Sequence, residues 1–261
     1  MNFIASLGSF TRKKFSNLPY ILGFVGKIVR SSFVFLKHER AAAKILIMQL
    51  LFTFVEALPL ICLISLAMGT AIYIVGYSFL LSLGQTSLIY SLQIIIVTRE
   101  LGPLIVAFVV TARSATAIAT EIAGMVTSHQ IESYISVGID PINYLVVPRF
   151  LGVTFSTFLL NLYFSLCGLL GPALLTRFVN ATAASEYLPG LFKALTISAI
   201  GISILKSLMF GMVIAIVATY WGFNVERSST EIPIAAIQAV GNSFLGIILA
   251  DVFIIAAGAL F

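Results

Sequence analysis

The chain has 261 residues, of which 60% are hydrophobic and 10% charged, with a formal net charge of +5. Its mean hydropathy of +1.09 excludes an ordinary soluble domain. Several apolar runs exceed the roughly 20 residues that span a bilayer, and no Walker A, GxSxG, HExxH or zinc-spacing pattern is present, so any ATP use must come from a partner.

Residues 1–45 hold eight of the fifteen basic residues, Arg12, Lys13, Lys14, Lys27, Arg30, Lys37, Arg40 and Lys44, against the single acid Glu39. Phe24, Ile28, Phe33, Phe35 and Leu36 are interleaved with them, and no small-residue cleavage site follows an apolar core. The pattern predicts an amphipathic helix lying on the cytoplasmic leaflet, the alternative being a disordered basic tail. By the positive-inside rule the N-terminus is then cytoplasmic. The chain divides into this interfacial region, 1–45, and a transmembrane domain, 46–261.

The first span is expected over residues 46–76, with a bend at Pro59, which removes one backbone hydrogen bond. Glu56, one turn earlier, needs a partner at that depth. Residues 77–97 remain apolar but are interrupted by Gly84-Gln85-Thr86-Ser87. That is too short for two crossings and predicts a re-entrant or outer-surface hairpin returning to Arg99. The second span then runs inward over about 101–126 and buries Arg113. Ala115, Ala119 and Ala123 recur every fourth residue and form a ridge for close packing, against a helix of the same chain or of a second copy. Cys62 and Cys167, inside apolar runs, read as small packing residues.

Residues 128–140 carry Ile131, Tyr134, Ile135 and Val137 on one side and Gln130, Glu132 and Ser133 on the other. Gly138 ends this short helix, and Asp140-Pro141 opens the next element. Its apolar face needs cover, from the bilayer surface or from another protein. A third span over 144–175 goes outward, its outer end loosened by Gly168, Gly171 and Pro172. A mildly polar outer loop over 177–193 follows, then a fourth span over 195–221 holding Lys206. A cytoplasmic turn over 222–231 leads to a fifth span over 232–261 holding Asp251. Lys206 is about eleven residues from the outer start of its span and Asp251 about ten from the outer end of its own, so both lie about 15–17 Å in. Opposite charges at one depth on antiparallel neighbours are expected to pair.

The motifs of the central stretch, RELGP at 99–103, Ala-Arg-Ser-Ala at 112–115, EIAGM at 121–125, Gln130-Ile131-Glu132, and GIDPINYLVVPR at 138–149, resemble the MlaE/YrbE permease family. These are the membrane subunits of MCE-associated ABC transporters, which move phospholipids or other lipids. The resemblance implies a homodimer with a lipid cavity at its two-fold interface. It also implies cytoplasmic ATPase subunits that hold ATP and Mg, and an MCE-domain protein on the outer side. Residues 130–138 become a coupling helix, with Gln130, Ile131, Glu132, Tyr134, Val137, Gly138 and Asp140 as its contacts. Arg99 and Glu100 become the mouth that meets the lipid phosphate, the alternative being a salt bridge that anchors the helix. Ile72, Phe79, Leu80, Leu83 and Leu101 become an apolar wall for the acyl chains. The turn Ser228-Ser229-Thr230-Glu231 departs from the basic, threonine-rich version common in the family.

The expectation is therefore an all-α integral membrane protein with five transmembrane helices, a basic interfacial helix in front and a short cytoplasmic coupling helix. It is a transport subunit of the bacterial inner membrane, with its C-terminus periplasmic. It is not itself an enzyme, carries no metal or cofactor, and binds no nucleic acid. The competing reading is an ion- or proton-coupled carrier using Glu56, Arg113, Lys206 and Asp251 as a relay. Two acids against two bases suit static pairing better, and no inverted repeat of broken helices is visible. A lipid-modifying enzyme is weaker still, because His38 and His129 have no second catalytic group at motif spacing.

Overall fold

The computed structural model describes residues 23–32, 43–179, 181–226 and 228–260, with backbone alone at 43, 175–179, 181–186 and 259–260. Arg12, Lys13, Lys14, Phe33, Phe35, Leu36, Lys37, His38, Glu39, Arg40 and Arg227 lie outside the described residues. Five helices are long and apolar enough to cross a membrane: Lys44–Ser82, Thr86–Thr127, Ile142–Leu174, Ile197–Phe223 and Ser229–Gly258. Among the described residues there is no strand, and the protein is an all-α, multi-pass membrane protein.

A short helix α1 covers residues 23–32. The first span consists of α2 (Ala43–Thr53) and α3 (Leu58–Ser82), separated by a 3₁₀ turn at Val55–Ala57. Pro59 sits in the first turn of α3, where the missing N–H removes no intrahelical bond, so the expected break is present just before the proline. The second span joins α4 (Ile89–Gln93), α5 (Gly102–Val110) and α6 (Thr116–Thr127) through two π-helical stretches, Ile94–Leu101 and Thr111–Ala115. Then follow α7 (Gln130–Ser136), α8 (Val147–Val179), α9 (Ala181–Ala194), α10 (Ile197–Phe223) and α11 (Ile232–Leu260).

Two expectations are corrected. The hairpin expected over 77–97 does not exist: α3 continues to Ser82, the chain turns at Gly84 with φ +68, and the second span begins at Thr86. The Gly102-Pro103 pair looks like a helix start, but a π-helix leading into it lets the helix pass through. The loop expected over 177–193 is the helix α9. Tyr187 and Leu191 of α9 are buried, and the Tyr187 hydroxyl donates to Leu169 O at 3.0 Å. Its ring meets Tyr73 and Tyr90 edge-on, with centroids 5.4 and 6.0 Å apart, and so closes a second small core at that end.

The third span is the hub, packing on the first, fourth and second, while the fourth also packs on the fifth. First and third cross at Gly69 and Gly168, where a Cβ on Gly69 would stand 1.9 Å from Gly168 O. Only glycine permits that approach, which contributes dispersion and packing where the hydrophobic effect between helices is weak. Ala115, Ala119 and Ala123 are all fully buried, and Gly222 of α10 packs on Ala119 and Ile122, so part of the alanine ridge meets a helix of the same chain. Over an 18-residue apolar stretch of each span, half of the second and of the third is buried, against 22% of the first and 28% of the fifth. The outer two therefore present most of the surface left for lipid or for another chain.

Candidate functional site

The densest polar cluster inside the spans is built around Lys206. Its side chain is fully buried in the middle of α10, and an ammonium there must be compensated. It is paired twice. Lys206 Nζ lies 2.8 Å from Asp251 Oδ1 on α11, the pairing that counting residues predicts, and 2.5 Å from Glu100 Oε2. Glu100 in turn faces Arg99 Nε at 3.1 Å. The four groups thus sum to zero charge.

The π-helix Ile94–Leu101 positions the second half of this cluster. Pro103 has no N–H to give, and the Gly102 N–H reaches back five residues to Val97 O. A side chain at Gly102 would collide with Val97 O at 2.6 Å and with Asn161 Oδ1 at 3.1 Å. The wide turn that results delivers Glu100 to Lys206. Asn161 donates to Ser203 Oγ at 2.8 Å and ties the third span to the fourth beside it. Arg99 and Glu100 do not sit at the start of the span: thirteen residues lie between Thr86 and Glu100. Their side chains keep 33% and 30% exposure, so the pair remains reachable from outside the chain.

The other two expected intramembrane charges find each other. Arg113 Nη2 meets Glu56 Oε2 at 3.0 Å, and the guanidinium lies 5.6 Å from the centroid of the Phe52 ring. The turn that breaks the first span therefore faces the second π-stretch, and Thr53 and Ser114 hydroxyls bond across the same contact at 3.0 Å. A further pair was not foreseen. Arg149, with 3% exposure, meets Glu121 Oε1 at 2.7 Å and donates to Leu145 O at 2.9 Å. Glu121 is six residues before the end of the second span and Arg149 seven after the start of the third (127 − 121 and 149 − 142). The same depth count could have found it.

The expected acyl wall does not assemble as one surface. Leu80 is buried in the second core, Ile72 and Leu101 are half-buried, and Phe79 and Leu83 are exposed at 63% and 58%. A separate apolar cavity of about 410 Å³ opens between α8, α9 and α10, with Leu166, Leu170 and Phe192 on its walls and Thr98 and Ser165 at its polar margin.

At the end of the molecule where α2 begins, α7 stands outside the spans. His129 takes φ 60 to start it and Gly138 takes φ 80 to end it, as the sequence predicts for the glycine. Glu132 pairs with His129 at 2.9 Å, and Gln130 is exposed. Ile131 and Tyr134 are half-covered, the Tyr134 ring lying tilted against Tyr144 with centroids 5.5 Å apart. The exposed apolar residues are instead Ile135 at 60% and Val137 at 70%. Asp140 caps the next helix through Ile142 N at 3.0 Å and meets Lys27 of α1 at 2.9 Å.

Comparison with known proteins places these features in a lineage. The family model described as Permease MlaE matches residues 46–257. A probable ABC transporter permease protein of Rickettsia typhi is 27% identical over 206 residues, 79% of this chain and 80% of the relative. One from Synechocystis is 28% identical over 171 residues, 66% of this chain and 65% of the relative. The chloroplastic protein TRIGALACTOSYLDIACYLGLYCEROL 1 of Arabidopsis thaliana is 30% identical over 154 residues, 59% of this chain and 44% of that longer protein.

Proposed function

Because this chain belongs to the MlaE permease family, we propose that it is the membrane subunit of an ABC transporter for phospholipid or a related lipid. It works as a homodimer with the lipid cavity at the two-fold interface. ATP and Mg are held on separate cytoplasmic ATPase subunits, and lipid is exchanged with an MCE-domain protein on the outer side. The chain sits in a bacterial inner membrane with its N-terminus cytoplasmic and its C-terminus periplasmic. Lys27, Arg30 and Lys44 near α1 and α2 support that orientation through the positive-inside rule. In it, α7 faces the cytoplasm and α9 the periplasm.

The observation that carries the lipid reading is the Arg99–Glu100 pair, one-third exposed within a helix whose surroundings are apolar. An arginine fork in that setting suits a phosphate whose acyl chains lie against apolar helix faces. The name of the Arabidopsis relative refers to a galactosylated diacylglycerol, which supports a lipid cargo. The exposed Ile135 on α7 and Val137 just after it support docking of an ATPase groove there. Glu56, Arg113, Lys206 and Asp251 are each paired, which favours a structural role over a relay.

Purification of the chain from its native membrane tests this reading. An ATPase subunit and bound phospholipid are expected in the complex. A chain recovered alone, with ATPase activity absent, overturns it.

A further inference from the structure

Resting on the orientation just proposed, we infer that the cytoplasmic end of the chain carries a second lipid site, for the headgroup of an aminophospholipid of the inner leaflet. A cleft of about 660 Å³ opens there between α2, α6, α7 and the start of the third span. That volume is within the range of ligand sites. Its charged groups are Lys44, Glu121 and Arg149, and its apolar walls include Met48 and Phe52.

The three charges have distinct settings. Arg149 is almost wholly buried and is held by Leu145 O and Glu121, so its guanidinium is fixed in place before any ligand arrives. Lys44 is exposed at the rim, with no ion-pair partner among the described residues. Glu121 gives one carboxylate oxygen to Arg149 and stays 52% exposed. Two cations and one anion complement a phosphate joined to a primary ammonium. The phosphate takes Lys44 and the outer edge of Arg149, and the ammonium donates to the free side of Glu121. Met48 lines the cleft and is 61% exposed, so the ligand must offer apolar surface as well. Arg149 lies seven residues into its span, about 10 Å deep, a level that headgroup and first methylenes share. A soluble phosphate ester lacks the second half of that match.

Tyr134 of α7 also lines the cleft. A lipid seated there touches the helix proposed to meet the ATPase.

The test uses the complex purified from its native membrane, titrated with phosphatidylethanolamine, phosphatidylcholine or glycerophosphoethanolamine and read by native mass spectrometry. Phosphatidylethanolamine is expected to bind about tenfold more tightly than phosphatidylcholine, whose quaternary ammonium cannot donate a hydrogen bond. The soluble headgroup is expected not to compete. Glu121→Gln should erase the preference, and Lys44→Gln should weaken both lipids about equally. Lys44→Gln changes an exposed side chain, but Glu121→Gln takes the ion-pair partner from buried Arg149, so thermal melting is read beside each titration and separates a lost fold from a lost headgroup contact. An unchanged preference in Glu121→Gln overturns the site, as does undiminished binding of both lipids by Lys44→Gln or competition by the soluble headgroup. If the ATPase co-purifies while the preference is absent, the headgroup site alone fails. If lipid selectivity follows these residues in a chain that brings no ATPase, the transporter reading fails instead.

Discussion

At the scale of single residues, the interior of this protein is governed by the cost of a charge in hydrocarbon. Lys206 is held between two carboxylates, and they are not equivalent, since Glu100 also faces Arg99 while Asp251 has only 13% side-chain exposure. Removing the lysine strands Asp251, whereas removing Asp251 leaves Lys206 on Glu100. Lys206→Met is therefore expected to cost about 3–5 kcal/mol and Asp251→Leu distinctly less. Thermal melting of the detergent-purified variants checks the order, and equal losses would show that Glu100 does not share the lysine. The Lys206–Asp251 pair was legible from residue counting because a short turn fixes α10 and α11 as antiparallel neighbours. The Glu100 contact was not, because an apolar stretch containing Gly84 gives no periodic signal that tells a hairpin from a second helix. A span counted from residue 101, where the structure begins it at Thr86, puts Glu100 at the rim instead of beside Lys206.

At the scale of elements, irregular helix does the positioning. Both π-stretches of the second span carry a charged residue, Arg99 with Glu100 in one and Arg113 in the other, and each is aimed at a partner on another span, whereas the π-stretch Ile142–Val146 that opens the third span carries none. The Gly69–Gly168 crossing sets how closely the first and third spans lie. Gly69→Ala should cost about 1–3 kcal/mol, or more if the backbone cannot move, and size-exclusion recovery after heating reads it. On α7 the structure redistributes what the sequence offers. The alternation of apolar residues showed that one face needed cover, but only packing shows that Ile131 and Tyr134 are partly covered by the chain itself. Ile135→Asp and Val137→Asp are thus expected to lower recovery of the ATPase about tenfold while leaving the melting temperature unchanged. Tyr134→Asp should lower the melting temperature as well. If all three leave ATPase recovery intact, α7 does not dock the motor.

At the scale of the molecule, the first, second and fourth spans pack on the third, the fifth packs on the fourth and second, and the first and fifth keep wide apolar faces. Phe253 at 72%, Leu249 at 70% and Ile237 at 70% on α11 lie on such a face. Composition and run length carried the class and the span count, because twenty apolar residues have one physical use. Tilt, the π-stretches and α9 depend on neighbours and left no comparable trace. The lipid-permease account stands on Arg99 being a phosphate contact within that frame. Its most direct test is ATP-driven movement of a fluorescent phospholipid in proteoliposomes holding the complete complex, wild type against Arg99→Glu. The account predicts transport by the wild type and a loss of at least about tenfold in the variant, with ATPase and assembly retained. Wild-type transport by a correctly inserted Arg99→Glu complex would contradict it.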